Sequence, residues 1–393
     1  MKNLDLRRMG PAVELSRRLA DATAPSMSEI APQFVWPRLT DWPTHTAPLV
    51  YLDLNHWIYL AQARAGLSSG AGFVPALEAC RNARHSGAAR FVLSGSHYME
   101  VTKIRDPAQR RTIADVMEEL TDFAVLVSRV VVMELELEAT LNRFVVAVPP
   151  LPAVPLIGRG VRHAFGIKSG LRIMGPKGDA TEQVRERMGA EQRDAFVANA
   201  NLLLERSVLR GPTDEEVPAL QQYGWNPAGA AVVAIKRAEE EQAQSGRLDE
   251  EGGRWRRGRL RDVIAARELL IEFQNMLPRA LTLRALTLEH LGCNPEAAMA
   301  FVRSMPSTEV SIEIKTAWHR NSGKRWTPND IYDIDALSLA VPYCDIVVTE
   351  KACHHLLNAA RLGERMRTVI LRRLDDLPAA IERWMSAAPE STR

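Results

Sequence analysis

The sequence predicts an α/β protein: a mostly parallel central sheet between two helical layers, interrupted by a large all-helical insertion. Three observations carry this. Short apolar runs rich in Val, Ile and Leu alternate with stretches of helical spacing, the pattern of parallel strands joined by crossover helices. Several of these runs deliver an acid at their carboxyl end. Between about 147 and 306 strand-like runs give way to threes-and-fours periodicity.

The elements follow in order. Residues 1–46 form an N-terminal arm with Pro32, Pro37 and Pro43 amid Phe34, Trp36 and Trp42, aromatics better placed to anchor the arm than to stack bases. Residues 47–146 are the first part of the α/β domain. Leu49-Val50-Tyr51-Leu52 has strand-type bulk and runs into Asp53, after which Trp57, Leu60 and Ala61 mark a helix. Asp53 is either an acid at a strand end, where open α/β sheets place ligands, or a helix N-cap. A second helix is read at about Val74 to Arg84 and a second strand at Arg90 to Ser94, whose end turns into a helix carrying His97 and Glu100. Asp106-Pro107 opens the next helix, and Val127 to Met133 is a third strand candidate, with Glu134, Glu136 and Glu138 after it.

Residues 147–306 are the helical insertion. Thr213 and Glu216 form a capping box, and Val263, Ala266, Leu270, Phe273 and Leu277 mark a buried stripe. Arg254, Arg256, Arg257, Arg259 and Arg261 cluster around Trp255: a solvated charged loop, or a phosphate-contacting patch with one stacking ring. Residues 307–393 return to α/β texture. Ser307 to Trp318 is read as a helix and His319 to Arg325 as a basic loop. A helix from about Pro328 to Ala340, stopped by Pro342, carries Asp330, Asp333 and Asp335. A strand at Asp345 to Thr349 ends at Glu350, and the helix Lys351 to Arg361, a strand at Thr368 to Leu371 and a helix at Asp376 to Trp384 complete the chain.

Composition narrows the function classes. With 25% charged and 46% hydrophobic residues the chain is ordinary for a globular protein, and its net charge of +2 leaves room only for a local polyanion-binding patch. Cys80, Cys293, Cys344 and Cys353 form no CxxC pair, so free thiols in a reducing compartment are expected. The basic N-terminus is followed by no apolar run, and prolines interrupt the longest uncharged stretch, Phe144 to Gly158; a cytoplasmic location is expected. His354 and His355 beside Cys353 are a weak zinc signal, since adjacent helical residues point apart. Asp333 is assigned to capping or solvation, and the chain holds no phosphate-cradling loop of the Walker type.

The acids at strand ends and helix starts are Asp53, Glu100, Asp335 and Glu350. A parallel sheet brings such positions to one edge. Carboxylates repel and raise one another's pKa, so a gathering of them points to chemistry or a metal. Oxygen donors with few His or Cys favour Mg2+ or Mn2+, ions that orient a water and neutralise phosphate charge.

The ordered set resembles the PIN-domain nucleases. Asp53-Leu54-Asn55 matches the family's first motif, Ser96 and Glu100 its second, and Asp335-Ala336 with Ala340 its third. Thr349-Glu350 stands in the fourth place, with Leu54 and Glu350 departing from the usual residues, so Asp345 or Asp330 is a substitute for the fourth acid. The match covers roughly residues 47–140 and 307–390. The resemblance implies a three-layer PIN-like fold and metal-dependent hydrolysis of RNA phosphodiesters, leaving a 5′-phosphate. It implies Asp53, Glu100 and Asp335 as metal ligands, with Glu350 or Asp345 on a second ion or orienting the water. Asn55, Ser96, Asp330 and Thr349 would support them from behind, and Lys324 and Arg325, with Arg254, Arg256 and Arg257, would hold the nucleic-acid backbone. A toxin-like or defence endoribonuclease is the leading expectation, with an antitoxin-like inhibitor protein or a homo-oligomer as further partners and no membrane. The alternatives are a catalytically weak RNA- or protein-binding module and a DNA-directed nuclease.

Overall fold

Strand β1 (Leu49–Leu52) is the centre of the molecule because every residue in it is buried and its side chains serve two cores. In the computed structural model, which describes residues 34–43, 46–147, 149–167, 174–176, 178–222, 227–250, 254–291 and 295–387, Leu49 and Tyr51 face one apolar cluster and Val50 and Leu52 the other. Period-two alternation thus becomes two packed faces, with helices on both.

The sheet is parallel and four-stranded, in the order β2-β1-β5-β6, where β2 is Arg90–Val92, β5 is Ile346–Val348 and β6 is Val369–Leu371. Register pairs Tyr51 with both Val92 and Val347. The chain leaves β1 toward β2 on one side and later adds β5 on the other. The gap beyond the carboxyl ends of β1 and β5 is therefore the topological switch point, where open α/β sheets form ligand crevices. On one face lie α1 (Leu54–Arg64), α2 (Val74–His85), α4 (Pro107–Thr121) and α16 (Leu377–Ser386), and α3 (Gly95–Val101) follows β2. On the other lie α12 (Pro306–Arg320), α13 (Pro328–Tyr343), α14 (Lys351–Ala359) and α15 (Leu362–Met366).

Several expectations are corrected. The third strand, β3, is Ala124–Leu126, and Val130 to Met133 belong to α5 (Arg129–Leu141). Its apolar run reads as a strand because the helix is buried on two sides: Val132 and Leu135 enter the main core, Met133, Leu137 and Leu141 a third core shared with the insertion. The insertion is not all-helical. It contains β4 (Ile157–Arg159), antiparallel to β3, and a two-residue hairpin pairing Met174 with Asp179. Its helices include α6 (Gly160–Ala164), α7 (Ala190–Arg210), α8 (Pro227–Glu250), α9 (Leu260–Arg267), α10 (Met276–Thr282) and α11 (Pro295–Arg303). A π-type turn at Glu268–Glu272 shifts the register of the expected stripe, so that Glu268 is buried while Leu270 is 68% exposed. Helix α13 runs one residue past Pro342, whose ring removes one backbone donor from the last turn, and the helix ends at Tyr343.

The described part of the arm carries an aromatic contact with α13. The Trp36 and Trp42 rings lie 5.0 Å apart and both meet Tyr343 edge-on, at 5.8 and 5.4 Å. The earlier part of the arm and Cys293 lie outside the described residues. Cys80, Cys344 and Cys353 are free and buried. Among the described residues no helix is long and apolar enough to cross a membrane.

Candidate metal centre

Asp53 is the first residue past β1. Its N–H donates to the Val348 carbonyl at 2.9 Å, continuing the ladder to β5, and its Oδ2 accepts from the Thr349 hydroxyl at 3.2 Å. Asp53 also precedes α1, but its side chain makes no capping bond. Its carboxylate therefore serves the crevice and not the helix.

Glu100 reaches the same place from α3. Three hydrogen bonds aim that helix. Buried His97 bridges the turn, its Nδ1 accepting from the Ser94 N–H at 2.9 Å and its Nε2 lying 2.8 Å from the Leu52 carbonyl. Burial holds His97 down to about 4, so the ring is neutral at pH 7, with the proton on Nε2. The Ser96 hydroxyl donates to the Tyr332 carbonyl at 3.2 Å, tying α3 to α13.

The third acid is Asp333, a residue the sequence reading set aside. Its carboxyl is pushed up to about 8, first by burial and then by Asp53, Glu100, Glu350 and Asp330. Glu100 is likewise pushed up to about 8 by burial and by Asp53 and Glu350, with Lys103 opposing. Glu350, just past β5, is raised by burial, Asp53 and Asp330. Asp53, Glu100, Asp333 and Glu350 thus share one electrostatic neighbourhood. Carboxylate oxygens of Asp333 and Glu350 and the Cys353 sulfur lie within 4.8 Å of one another, a spacing at which one cation touches all three. Cys353 is 2% exposed, its thiol 4.0 Å from Glu350 Oε1.

Asp335 is not brought to this cluster. Two helical residues are about 200° apart, so Asp333 and Asp335 project from opposite sides of α13. Asp335 is gripped by Arg129 at 2.6 Å and by Arg237 at 2.6 and 3.0 Å. Burial alone would raise its carboxyl, but Arg237 and Arg129 outweigh that and hold it below the usual range. The pair belongs to a larger buried network. Arg237 meets Glu272 at 3.4 Å, and buried Lys315 meets Glu268, Glu272 and Glu241, the last also bonded to Arg267 and to His319. Four carboxylates (Glu241, Glu268, Glu272, Asp335) face four cations (Arg129, Arg237, Arg267, Lys315), so the network is neutral.

Asp345 is also elsewhere. It precedes β5 at the amino edge of the sheet, roughly 15 Å along the strand from Glu350. Its Oδ2 accepts from the Leu49 N–H at 2.8 Å and fixes strand register. Asp330 is the capping-box partner of Thr327 at the start of α13 and pairs with Lys324. Lys324 also lies 4.9 Å from the Trp318 ring centre. Asn55 and Arg325 are exposed.

The arginine cluster is divided. Arg256 is buried, with donors on Asp249 and on the Ser245 and His319 carbonyls. It holds the insertion together and does not face solvent. Arg261 is bound to Glu309 and Glu313, and Arg259 to Asp262. Arg257 is exposed, and the Arg254 side chain lies outside the described set.

Sequence reasoning missed Asp333, Cys353 and Lys103. Two signals were legible. Asp333 is three residues after the capping Asp330, and Cys353 three after Glu350, spacings that share a helix face. Lys103 follows α3; its Nζ bonds Asn329 Oδ1 at 2.8 Å and lies 3.7 Å over the Tyr332 ring.

No family model matches this chain, and no curated protein or solved structure matches it either.

Proposed function

We propose that the chain is a PIN-like, metal-dependent endoribonuclease. The observation that carries this reading is the convergence of Asp53, Glu100, Asp333 and Glu350 at the switch point, with two of these carboxyls pushed up to about 8. Acids that destabilise one another while their neighbours stay neutralised are a functional-site signature.

The donor set fits a divalent cation. Three carboxylates and one at the rim supply hard oxygen ligands suited to Mg2+ or Mn2+. Cys353 is the softer donor of the group. When bound, such an ion polarises the scissile phosphate and favours hydroxide over water. The chain's own residues do the rest. Asp53 is locked by Thr349 and the β5 backbone, so its oxygens are preorganised. Glu100 stands beside it, raised to about 8 in the metal-free chain; as the carboxylate, the form a bound cation would favour, it would take the proton of the attacking water. The new P–O bond forms as the P–O3′ bond breaks, and the departing O3′ takes a proton from solvent, leaving a 3′-hydroxyl and a 5′-phosphate. Lys103 and Lys324, on two sides of the acids, attract the substrate backbone.

Cleavage of single-stranded RNA, structured RNA and matched DNA, with Mg2+, Mn2+ or EDTA, tests the reading. Wild type is expected to cut RNA only with metal, and Asp53→Asn and Asp333→Asn to lose at least about a hundredfold, the scale of removing a charge-stabilising group. RNA binding without cleavage by any of the three supports a binding module instead, and preferential cutting of DNA a DNA-directed nuclease.

A further inference from the structure

Where α8 and α12 end, an open cavity of about 550 Å³ is lined by Asp249, Arg256, Arg257, Gly258, Arg320 and Ser322. Three guanidinium groups against one carboxylate leave the lining with a formal charge of +2. Asp249 is neutralised in place, because Arg256 holds it through Nε at 2.9 Å and Nη2 at 2.8 Å. Arg256 is therefore wall. Arg257, Arg320 and Ser322 are exposed and line the opening. Forked guanidinium donors beside a hydroxyl match the tetrahedral oxygens of a phosphate.

The cavity connects to the acids. Ser322 belongs to the segment 321–327, which also carries Lys324 and Arg325, and Lys324 pairs with Asp330 next to Asp333 and Glu350. From Arg320 to Lys324 the chain spans at most about 14 Å. Exposed Arg320 and Arg325 thus carry positive charge from the insertion toward the acidic cluster, with Lys324 paired to Asp330 between them, over a length that a few nucleotides cover. We propose that this cavity binds a backbone phosphate of the RNA strand a few nucleotides from the scissile bond, so that the insertion selects long strands over short ones. The inference rests on the nuclease reading for the strand's direction of travel, but its test does not need cleavage.

The test introduces Arg320→Gln, alone and with Arg257→Gln, into the full-length Asp53→Asn chain, with melting temperature as the folding control. Binding of fluorescent oligoribonucleotides, from dimer to dodecamer, is measured across a KCl series. Arg320→Gln is expected to weaken dodecamer binding about tenfold, lower the salt slope by about 0.7, leave the dimer unchanged, and be rescued by Arg320→Lys. Unchanged dodecamer affinity and slope overturn the proposal. So does inorganic phosphate binding the parent chain as tightly as the dodecamer does, which makes the cavity a free-anion site. Arg320-dependent binding without cleavage by wild type keeps the cavity and removes the nuclease reading. Wild-type cleavage with Arg320-independent binding does the reverse.

Discussion

Helix α13 separates two groups of carboxylates that differ in one respect, whether their charge is cancelled. On one side Asp333 joins Asp53, Glu100 and Glu350, and burial and mutual repulsion push its carboxyl up to about 8. On the other, two residues along, Asp335 sits between Arg129 and Arg237 and is held below the ordinary range against the pull of its own desolvation. The lesson is that acidic clustering alone does not mark a site. Asp335, Glu241, Glu268 and Glu272 are as clustered as the first group, but each has a cation, so their arrangement is structural. Among the described residues the cations that act on the first group are Lys103 and Lys324, fewer than its acids, so it is left wanting positive charge.

Lys315→Ala removes the cation shared by Glu241, Glu268 and Glu272 and is expected to cost about 3–5 kcal/mol in urea unfolding, the scale for stranding buried charges. A loss under about 1 kcal/mol would mean that the network does not hold the insertion to the domain. Asp335→Asn is expected to cost about 3 kcal/mol by the same physics, whereas Asp333→Asn relieves repulsion and leaves the metal-free protein at least as stable as wild type. Equal destabilisation by both would erase the distinction between the two faces.

pH sharpens the contrast. Glu100 and Asp333 have folded-state values raised above their unfolded ones, so the folded chain binds more protons between about pH 4 and pH 8. Their contribution is fully present below the unfolded pKa and is lost as pH rises through the folded one. Metal-free melting temperature is therefore expected to fall from pH 6 to pH 8.5 in wild type and to fall less in Asp333→Asn. Added Mn2+ should restore more stability at pH 8.5 than at pH 6, since protons no longer compete. A metal-induced shift that is the same at both values counts against carboxylate ligation. The smallest expected effect is that of Thr349→Val, which frees one oxygen of Asp53 and should lower metal affinity about tenfold with little change in stability.

Much of the frame was legible in the sequence because it is written in local pattern. Leu49 to Leu52 and Ile346 to Val348 are short apolar runs that read as central strands, and Asp53 follows the first directly and Glu350 the second after Thr349. Glu100 was legible from the strand-turn-helix spacing. What was not legible is rotation about α13. Asp330, Asp333 and Asp335 differ by fractions of a turn, and the Asp-Ala-x-x-x-Ala pattern pointed to Asp335 without showing that Arg129 and Arg237 await it from distant segments. Burial on two sides disguised α5 as a strand for a similar reason: local apolarity does not say how many neighbours a helix has. The arginine cluster around Trp255 looked uniform in sequence, and only tertiary packing divides Arg256, buried on Asp249, Ser245 and His319, from exposed Arg257.

The most direct test is a calorimetric titration of Mn2+ into wild type, Asp333→Asn and Asp335→Asn, at low temperature so that all three stay folded. The account predicts binding by wild type and Asp335→Asn, and at least about tenfold weaker binding by Asp333→Asn, as expected for loss of one charged ligand. Binding that survives in Asp333→Asn and disappears in Asp335→Asn would contradict it.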